Sequence, residues 1–395
     1  MQKNQTSKEN EATVRQHHKD FSPIQLIGRK KFDALAKRYG TDVGVRTLST
    51  SQMVNALLEA KLMQLDSFRE IEGVLSIARS TLSDAMESRC GGFFMDLADE
   101  ILRVIRGQTT TSKLKRAIRE ILAIDSSEID VHGSLFDRQG WAKKRGTGRR
   151  ASCKLHVVWN VDKEWVEDFS ITGARKHDAP AARRLRLLAN KIYVFDRAYL
   201  DLKFWTQIAK AGSSFVTRLK STPFTKWFDA NVLDDKSQTG VLYEGPYEPS
   251  EQIAKQHSDF LDTTPLRHVV YRDPLTKKLF HFVSSDTDLN AQQVADVYKR
   301  RWAVELLFRW LKGHVNIRRL PTKNSNAAEV QLAIAVIFLL LLRLKSIREK
   351  FEGTLWKLLC QMRIQLLKQA RCQSAEAGDI SRKTATVLKV KQGTS

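Results

Sequence analysis

Residues 290–313 read NAQQVADVYKRRWAVELLFRWLKG, and four of their side chains are of types that manage phosphate chemistry: the carboxylate of Glu305 and the phosphate-binding groups of Tyr298, Arg301 and Lys312. Asn290 followed three residues later by Gln293 is a capping-box pattern, in which each side chain satisfies an orphan backbone N–H of the first turn. Gly313 directly follows Lys312, as a left-handed C-terminal cap would. The stretch therefore predicts one helix over 290–313. At about 100° per residue the four side chains fall within about 60° of one another, on a single stripe. Glutamate on such a stripe could hold a divalent cation while its neighbours hold phosphates. The plainer alternative is a solvated face held by ion pairs. Val297, Val304, Leu307, Phe308 and Leu311 flank the stripe and supply apolar surface to dock the helix.

The spacing Tyr-x-x-Arg-x-x-x-Glu-x-x-x-x-x-x-Lys resembles the signature of the insertion sequence 4 family of bacterial DDE transposases. In that family the glutamate is the last of three metal-binding carboxylates, so the resemblance implies two aspartates upstream, each at a strand end. Asp125 closes the apolar run ILAI in AIDSSEID, and Asp196 closes IYVF in VFDRAYLD; the two phrases resemble the family's first and second aspartate motifs. An aspartate at a strand end is by itself more often a turn former or a helix cap. Asp130 and Asp201 are the competitors, and Asp125 and Asp196 are preferred because each directly ends its hydrophobic strand.

These acids must be positioned by a fold, and the chain supplies the elements in a telling order. After the run at 121–124 come strand patterns at 154–161 and 165–172, a helix over 178–189, the strand at 192–195, a helix over 200–211 and a strand at 214–219. Strand, strand, strand, helix, strand is the order of a ribonuclease-H-like fold, whose first and fourth strands are neighbours. The expected class is α/β: a ribonuclease-H-like catalytic core with a β-rich insertion, preceded by an all-α N-terminal DNA-binding domain. Its parts are 1–110 (helical), 111–220 (core, first part), 221–288 (insertion, with alternating runs at 240–243, 266–271 and 279–284), 289–350 (core, second part) and 351–395 (helical segment and basic, mobile tail). Residues 1–20 are expected to be disordered, and no internal repeat is present.

Two stretches point to DNA. Residues 67–89, SFREIEGVLSIARSTLSDAMESR, resemble a helix-turn-helix with Arg79, Ser80, Thr81 and Ser83 at the start of the recognition helix; two packed helices of any bundle are the generic alternative. Its phrases are also similar to the N-terminal domain that accompanies some members of the transposase family. Residues 138–154, RQGWAKKRGTGRRASCK, carry seven basic side chains and no acid. Lys143, Lys144, Arg145, Arg149 and Arg150 would grip backbone phosphate there in a salt-dependent way.

Composition agrees. Sixty-six Lys and Arg against 44 Asp and Glu give a net charge of +22 over 395 residues, which calls for a polyanionic partner. A content of 42% hydrophobic residues speaks for a folded enzyme over a basic tail protein. Cys90, Cys153, Cys360 and Cys372 are scattered with no zinc spacing, as expected of a reducing cytosol. The N-terminus lacks a signal peptide's apolar core. The apolar run at 332–342 falls short of the roughly 20 residues that span a bilayer and reads as a buried helix.

The resemblance implies a cut-and-paste transposase acting on terminal inverted repeats with Mg²⁺, or Mn²⁺ in its place. Three carboxylates at one sheet edge repel unless cations intervene, and hard oxygen ligands select such ions. Two ions about 4 Å apart suit in-line phosphoryl displacement. The implied partners are double-stranded transposon-end and target DNA and a second copy in a synaptic homodimer; no membrane is implied, and the implied location is the bacterial cytoplasm, at the nucleoid. The rivals are an inactive or domesticated DNA-binding derivative and a ribonuclease-H-like nuclease without strand transfer.

Overall fold

The computed structural model describes residues 21–109, 119–135, 141–143, 151–219, 240–249, 255, 257–320 and 322–376. The N-terminal 20 residues and the tail from 377, expected to be disordered or mobile, lie outside the described residues.

The N-terminal region is helical throughout: α1 (Pro23–Ile27), α2 (Arg29–Arg38), α3 (Thr50–Met63), α4 (Phe68–Leu75), α5 (Arg79–Ser88) and α6 (Gly91–Gln108). Local chemistry sets the starts. Ser49 and Gln52 form a reciprocal capping box at α3, and the Ser67 hydroxyl accepts from the Glu70 N–H at α4, each satisfying orphan donors of a first turn.

The remaining chain builds one sheet: β1 (Glu120–Val131), β2 (Ala142–Lys143), β3 (Ala151–Asn160), β4 (Trp165–Gly173), β5 (Lys191–Phe195), β6 (Ser214–Arg218), β7 (Val241–Pro246), β8 (Arg267–Arg272) and β9 (Leu279–Ser284). The order is β3-β1-β5-β6-β9-β8-β7, with β2 and β4 both on the outer side of β3. β1 runs parallel to β5 and β5 parallel to β6, whereas β1–β3 and β3–β4 are antiparallel. The first and fourth strands of the expected core, β1 and β5, are thus neighbours, and the mixed α/β class expected from the element order is the one observed. The strands after residue 240 extend this same sheet through an antiparallel β6–β9 pairing.

Helices α7 (Asp178–Ala182), α8 (Leu202–Lys210) and α9 (Ser258–Thr263) connect the strands. They are followed by α10 (Ala291–Arg300), α11 (Trp302–His314), α12 (Ser325–Arg348) and α13 (Leu355–Glu376). α7 stops at residue 182, short of the 178–189 span expected.

Apolar residues on one face of the sheet join α12 and the N-terminal helices in one continuous core. The Phe21 and Phe338 rings lie 5.2 Å apart within it. The other face carries a smaller core under α8, including Ile124, Phe195, Phe204 and Phe215. α12 is longer than the apolar run suggested: by length and composition it could cross a membrane, yet 89% of its most apolar window is buried inside the protein.

The helix expected over 290–313 is two. Asn290 and Gln293 form the capping box as expected, but the helix is interrupted at Arg301, where Arg301 N–H reaches Tyr298 O (3.1 Å) and Val304 N–H reaches Arg301 O (3.1 Å). These i→i−3 bonds tighten one turn without leaving helical dihedrals, at φ −53 and ψ −31. The expected glycine cap is also corrected: Gly313 lies inside α11, which ends at His314. The left-handed residue is Asn316, φ 54, because fully buried Val315 and Ile317 draw the chain into the core there.

Candidate active site

The β1–β5 ladder ends at Ile124↔Phe195, so Asp125 and Asp196 are the next residues on two adjacent parallel strands. Asp196 leaves β5 as expected, and its carboxylate accepts the Ala198 N–H at 2.8 Å, capping the 3-10 turn Arg197–Tyr199. Asp125 does not end its strand. β1 continues to Val131, paired with β3 from Asp125↔Val157 to Val131↔Ala151 and bridged at Asp130 to Arg319. The hydrophobic run stops at Asp125 because parallel pairing stops there.

The competing acids are held differently, Asp130 through its main chain and Asp201 through its carboxylate. Asp130 carries the backbone pairing to residues 318–320, donating to Arg318 O and accepting from the Leu320 N–H. Asp201 caps α8 by accepting the Phe204 N–H at 2.8 Å.

Glu305 arrives on the first turn of α11. The tightened turn at Arg301 places the guanidinium between the acids: Arg301 Nη1 donates to Asp125 Oδ2 at 3.1 Å, and Nη2 donates to Glu305 Oε1. Asp125 is four-fifths covered, its side chain 19% exposed. Burial pushes its carboxyl up to about 6, opposed by the Ser126 N–H and Arg301 and reinforced by the charges of Asp196 and Glu305. Arg301 is held above its ordinary value, although burial works against it, by Glu305, Tyr298 and Asp125.

The four residues of the stripe therefore part company. Tyr298, on α10, packs its ring at a tilt against Phe282, centroids 4.7 Å apart, and burial raises its hydroxyl. Arg301 spans two acids, with its guanidinium 5.8 Å from the Tyr298 ring. Lys312 lies partly buried in the last turn of α11. Beside Arg301, a cavity of about 170 Å³ is lined by Tyr271, Phe280, Phe282, Tyr298, Lys299 and Trp302, among others. Trp302 is 50% exposed at its rim. Neither Trp302 nor Tyr271 was singled out by sequence reasoning, although an aromatic next to Arg301 was signal enough for the first.

In the N-terminal region, α4 and α5 are joined by the three residues Ser76–Ala78, with Ser76 left-handed at φ 56. A three- or four-residue turn between two helices is the helix-turn-helix arrangement. Arg79 and Ser80 are exposed and Thr81 partly so at the start of α5, and Arg79 reaches back to Glu72 at 4.0 Å. Of the basic loop, Lys143 closes β2, where it pairs with Ala151; Lys144, Arg145, Arg149 and Arg150 lie outside the described residues.

Among the described residues no group of three metal-binding side chains closes into a metal centre. The donor set nevertheless suits a hard divalent cation, being carboxylate oxygens alone. Asp196 and Glu305 lie close enough to Asp125 for their charges to act on it, with Arg301 the cation between Asp125 and Glu305.

Residues 116–341, more than half of the chain, match the transposase DDE domain, a family that depends on divalent metal; residues 23–85 match a domain of unknown function, DUF4372. y4zB of Sinorhizobium fredii (strain NBRC 101917 / NGR234), an inferred transposase, is 31% identical over 282 residues, covering 70% of this chain and 74% of the relative. The inferred transposase of insertion sequence element IS5377 from Geobacillus stearothermophilus is 26% identical over 327 residues, covering 81% and 82%. Among solved structures, the piggyBac transposase synaptic complex with hairpin DNA aligns at 11% identity and a TM-score of 0.49, covering 93% of this chain and 85% of that one. With its DDE domain and insertion-sequence relatives, the chain belongs to the DDE transposases, enzymes that bind and cut DNA.

Proposed function

We propose that this transposase moves its element by cut-and-paste, cutting at the terminal inverted repeats and joining the freed ends to target DNA, with Asp125, Asp196 and Glu305 as its metal-holding acids. The observation that carries this is the parallel register that sets Asp125 beside Asp196, with Glu305 tied to Asp125 through Arg301. Two Mg²⁺ ions, or Mn²⁺, held by the three acids would activate a water or 3′-hydroxyl and stabilise the leaving oxygen.

The chain's own residues supply the rest. Arg301 would hold a phosphate beside the reacting one, with Tyr298 and Lys312 on the flanking phosphates. The spacing between turns supports this: Arg301 and Lys312 stand roughly 6 Å and 10 Å along the helix from Glu305. The aromatic cavity beside Arg301, with Phe280 and Phe282 in its wall, suits a base unstacked from the duplex end. Arg79, Ser80 and Thr81 on exposed α5 would read base edges, and the basic loop at 138–154 would grip backbone phosphate. The tyrosine, arginine, glutamate and lysine spacing favours insertion sequence 4 membership, which brings with it a homodimeric synaptic complex. The net charge of +22 and the scattered cysteines favour action in the bacterial cytoplasm, at the nucleoid.

The test is a time course on labelled end DNA with Mg²⁺, resolving nicked, processed and joined species for the wild type and for Asp125→Ala, Asp196→Ala and Glu305→Ala. End binding without any cleavage in all three is expected. Cleavage at the wild-type rate in any of them removes that acid from the site.

A further inference from the structure

Asp125 is approached from behind. Successive side chains of a strand point to opposite faces, so Ser126 turns away from the α11 side, toward the smaller core. There it meets a polar cluster drawn from three elements. The Ser126 hydroxyl donates to Asp178 Oδ1 at 2.7 Å. Lys154 Nζ, from β3, donates to the same oxygen at 3.0 Å and to Lys176 O at 3.1 Å. His156 Nδ1 lies 3.8 Å from it. The buried Tyr199 hydroxyl faces the Ser126 hydroxyl and sits in the field of Asp125 and Asp178. Asp178 and Lys154 are about four-fifths covered, with side-chain exposures of 19% and 18%.

The place of this cluster along β1 gives it a purpose. Up to Ile124 the strand is held on both sides, by β3 and β5; from Asp125 β5 is gone and β3 alone pairs with the strand until Asp130 bridges to Arg319. The Ser126 N–H is one of the first groups beyond that point, and it donates to Asp125 Oδ1 at 2.8 Å. Whatever fixes Ser126 therefore fixes the main chain under Asp125 and the orientation of its carboxylate.

We propose that Asp178 is a positioning residue for Asp125: through the Ser126 hydroxyl, and anchored by Lys154, it holds the end of β1 where its β5 partner has turned away. This rests on Asp125 being a metal-holding acid. Residues that orient a metal ligand from behind typically contribute about 10–100-fold to metal affinity or activity.

The test is Mn²⁺ titration of the full chain without DNA, followed by electron paramagnetic resonance, alongside end-DNA affinity, melting temperature and the Mn²⁺ concentration for half-maximal cleavage. Asp178→Ala and Ser126→Ala are expected to weaken Mn²⁺ binding about 10–100-fold and to shift the cleavage requirement equally, with end-DNA affinity unchanged. Ser126→Thr, which keeps the hydroxyl, is expected to restore the wild-type requirement. Ser126→Ala removes one oxygen only, so it carries the test if Asp178→Ala fails to fold. Wild-type Mn²⁺ affinity in folded Ser126→Ala overturns the proposal. Wild-type Mn²⁺ affinity and cleavage in Asp125→Ala instead overturns the assignment of Asp125 beneath it.

Discussion

The sheet edge and the helix edge of this site hold their acids by different means. Asp125 and Asp196 stand on main chain pinned by β-ladders, directly after Leu122, Ala123 and Ile124 on one strand and Tyr193, Val194 and Phe195 on the other, all fully buried. Glu305 stands in the first turn of a helix that has no side-chain cap and begins at a tightened turn. It is held across the site by Arg301, and its neighbours Trp302 and Leu306 are 50% and 46% exposed. A backbone ladder cannot shift without breaking hydrogen bonds, whereas a helix docked through apolar side chains such as Val304 and Leu307 can slide without breaking any. From this contrast the two aspartates are expected to be the preset acids and Glu305 the more adjustable one.

The largest effect expected is at the preset edge. Asp125→Ala and Asp196→Ala should reduce Mg²⁺-dependent cleavage of labelled end DNA below detection, while Asp130→Ala and Asp201→Ala keep it. Glu305→Asp, a shorter acid on the adjustable element, should keep measurable cleavage. If Glu305→Asp is as dead as Asp125→Ala, the helix edge is as rigid as the sheet.

Next comes the tie between the edges. Loss of one charge-assisted contact costs about 1.5–3 kcal/mol, or roughly tenfold to a hundredfold. Arg301→Ala should therefore slow end processing or strand transfer by that factor, and Arg301→Lys should not restore it, because one guanidinium spans two carboxylates and a lysine cannot. Lys312→Ala should be slowed comparably at the same steps. Wild-type rates through every step in these variants, resolved on a gel time course, would mean that neither Arg301 nor Lys312 holds a phosphate during the reaction.

Sequence reading by α5 should matter less to chemistry than to choice. Arg79→Ala in the full chain should cost about 1–3 kcal/mol of discrimination between end DNA and a scrambled duplex, measured by competition binding. Residues 1–107 alone are a poor substitute for this test, because their core is shared with α12; circular dichroism of that fragment should show it incompletely folded.

The last prediction concerns stability and not chemistry, and tests the sheet's own footing by pH. His156, on β3 opposite Ser126, is fully buried, and burial lowers its imidazole to about 4, outweighing the attraction of Asp178. Its folded value lies below the ordinary one near 6.5, so the stability it confers is complete above that pH. It is lost as pH falls toward about 4, because the unfolded chain takes up the proton first. The loss should be on the order of 2–3 kcal/mol. Denaturant titrations of wild type and His156→Gln across this range should show the slope flattened in the variant.

Much of the site was legible because it rests on short-range patterns. The apolar runs ending at Asp125 and Asp196 marked strands, and alternating strands and helices implied that β1 and β5 pair. Asn290 and Gln293 marked a helix start. Asp178 was not legible as part of the site: it stands 53 residues from Asp125 in the chain, and an acid at the start of a helix is commonplace. The break at Arg301 was equally hidden, because its dihedrals remain helical and no proline or glycine marks it.

By itself, then, the sequence determined where most strands and helices begin, which acids end apolar runs, and that the partner is a polyanion, since periodicity, capping and net charge are local or additive properties. Tertiary structure alone decided the rest. Asp125 lies mid-strand because β5 leaves β1 there; Arg301 faces two carboxylates because helix and sheet meet at that point. α12, apolar enough for a membrane, became the shared core of two regions because other elements cover it. Each of these depends on what packs against what across long separations, and no local pattern encodes that.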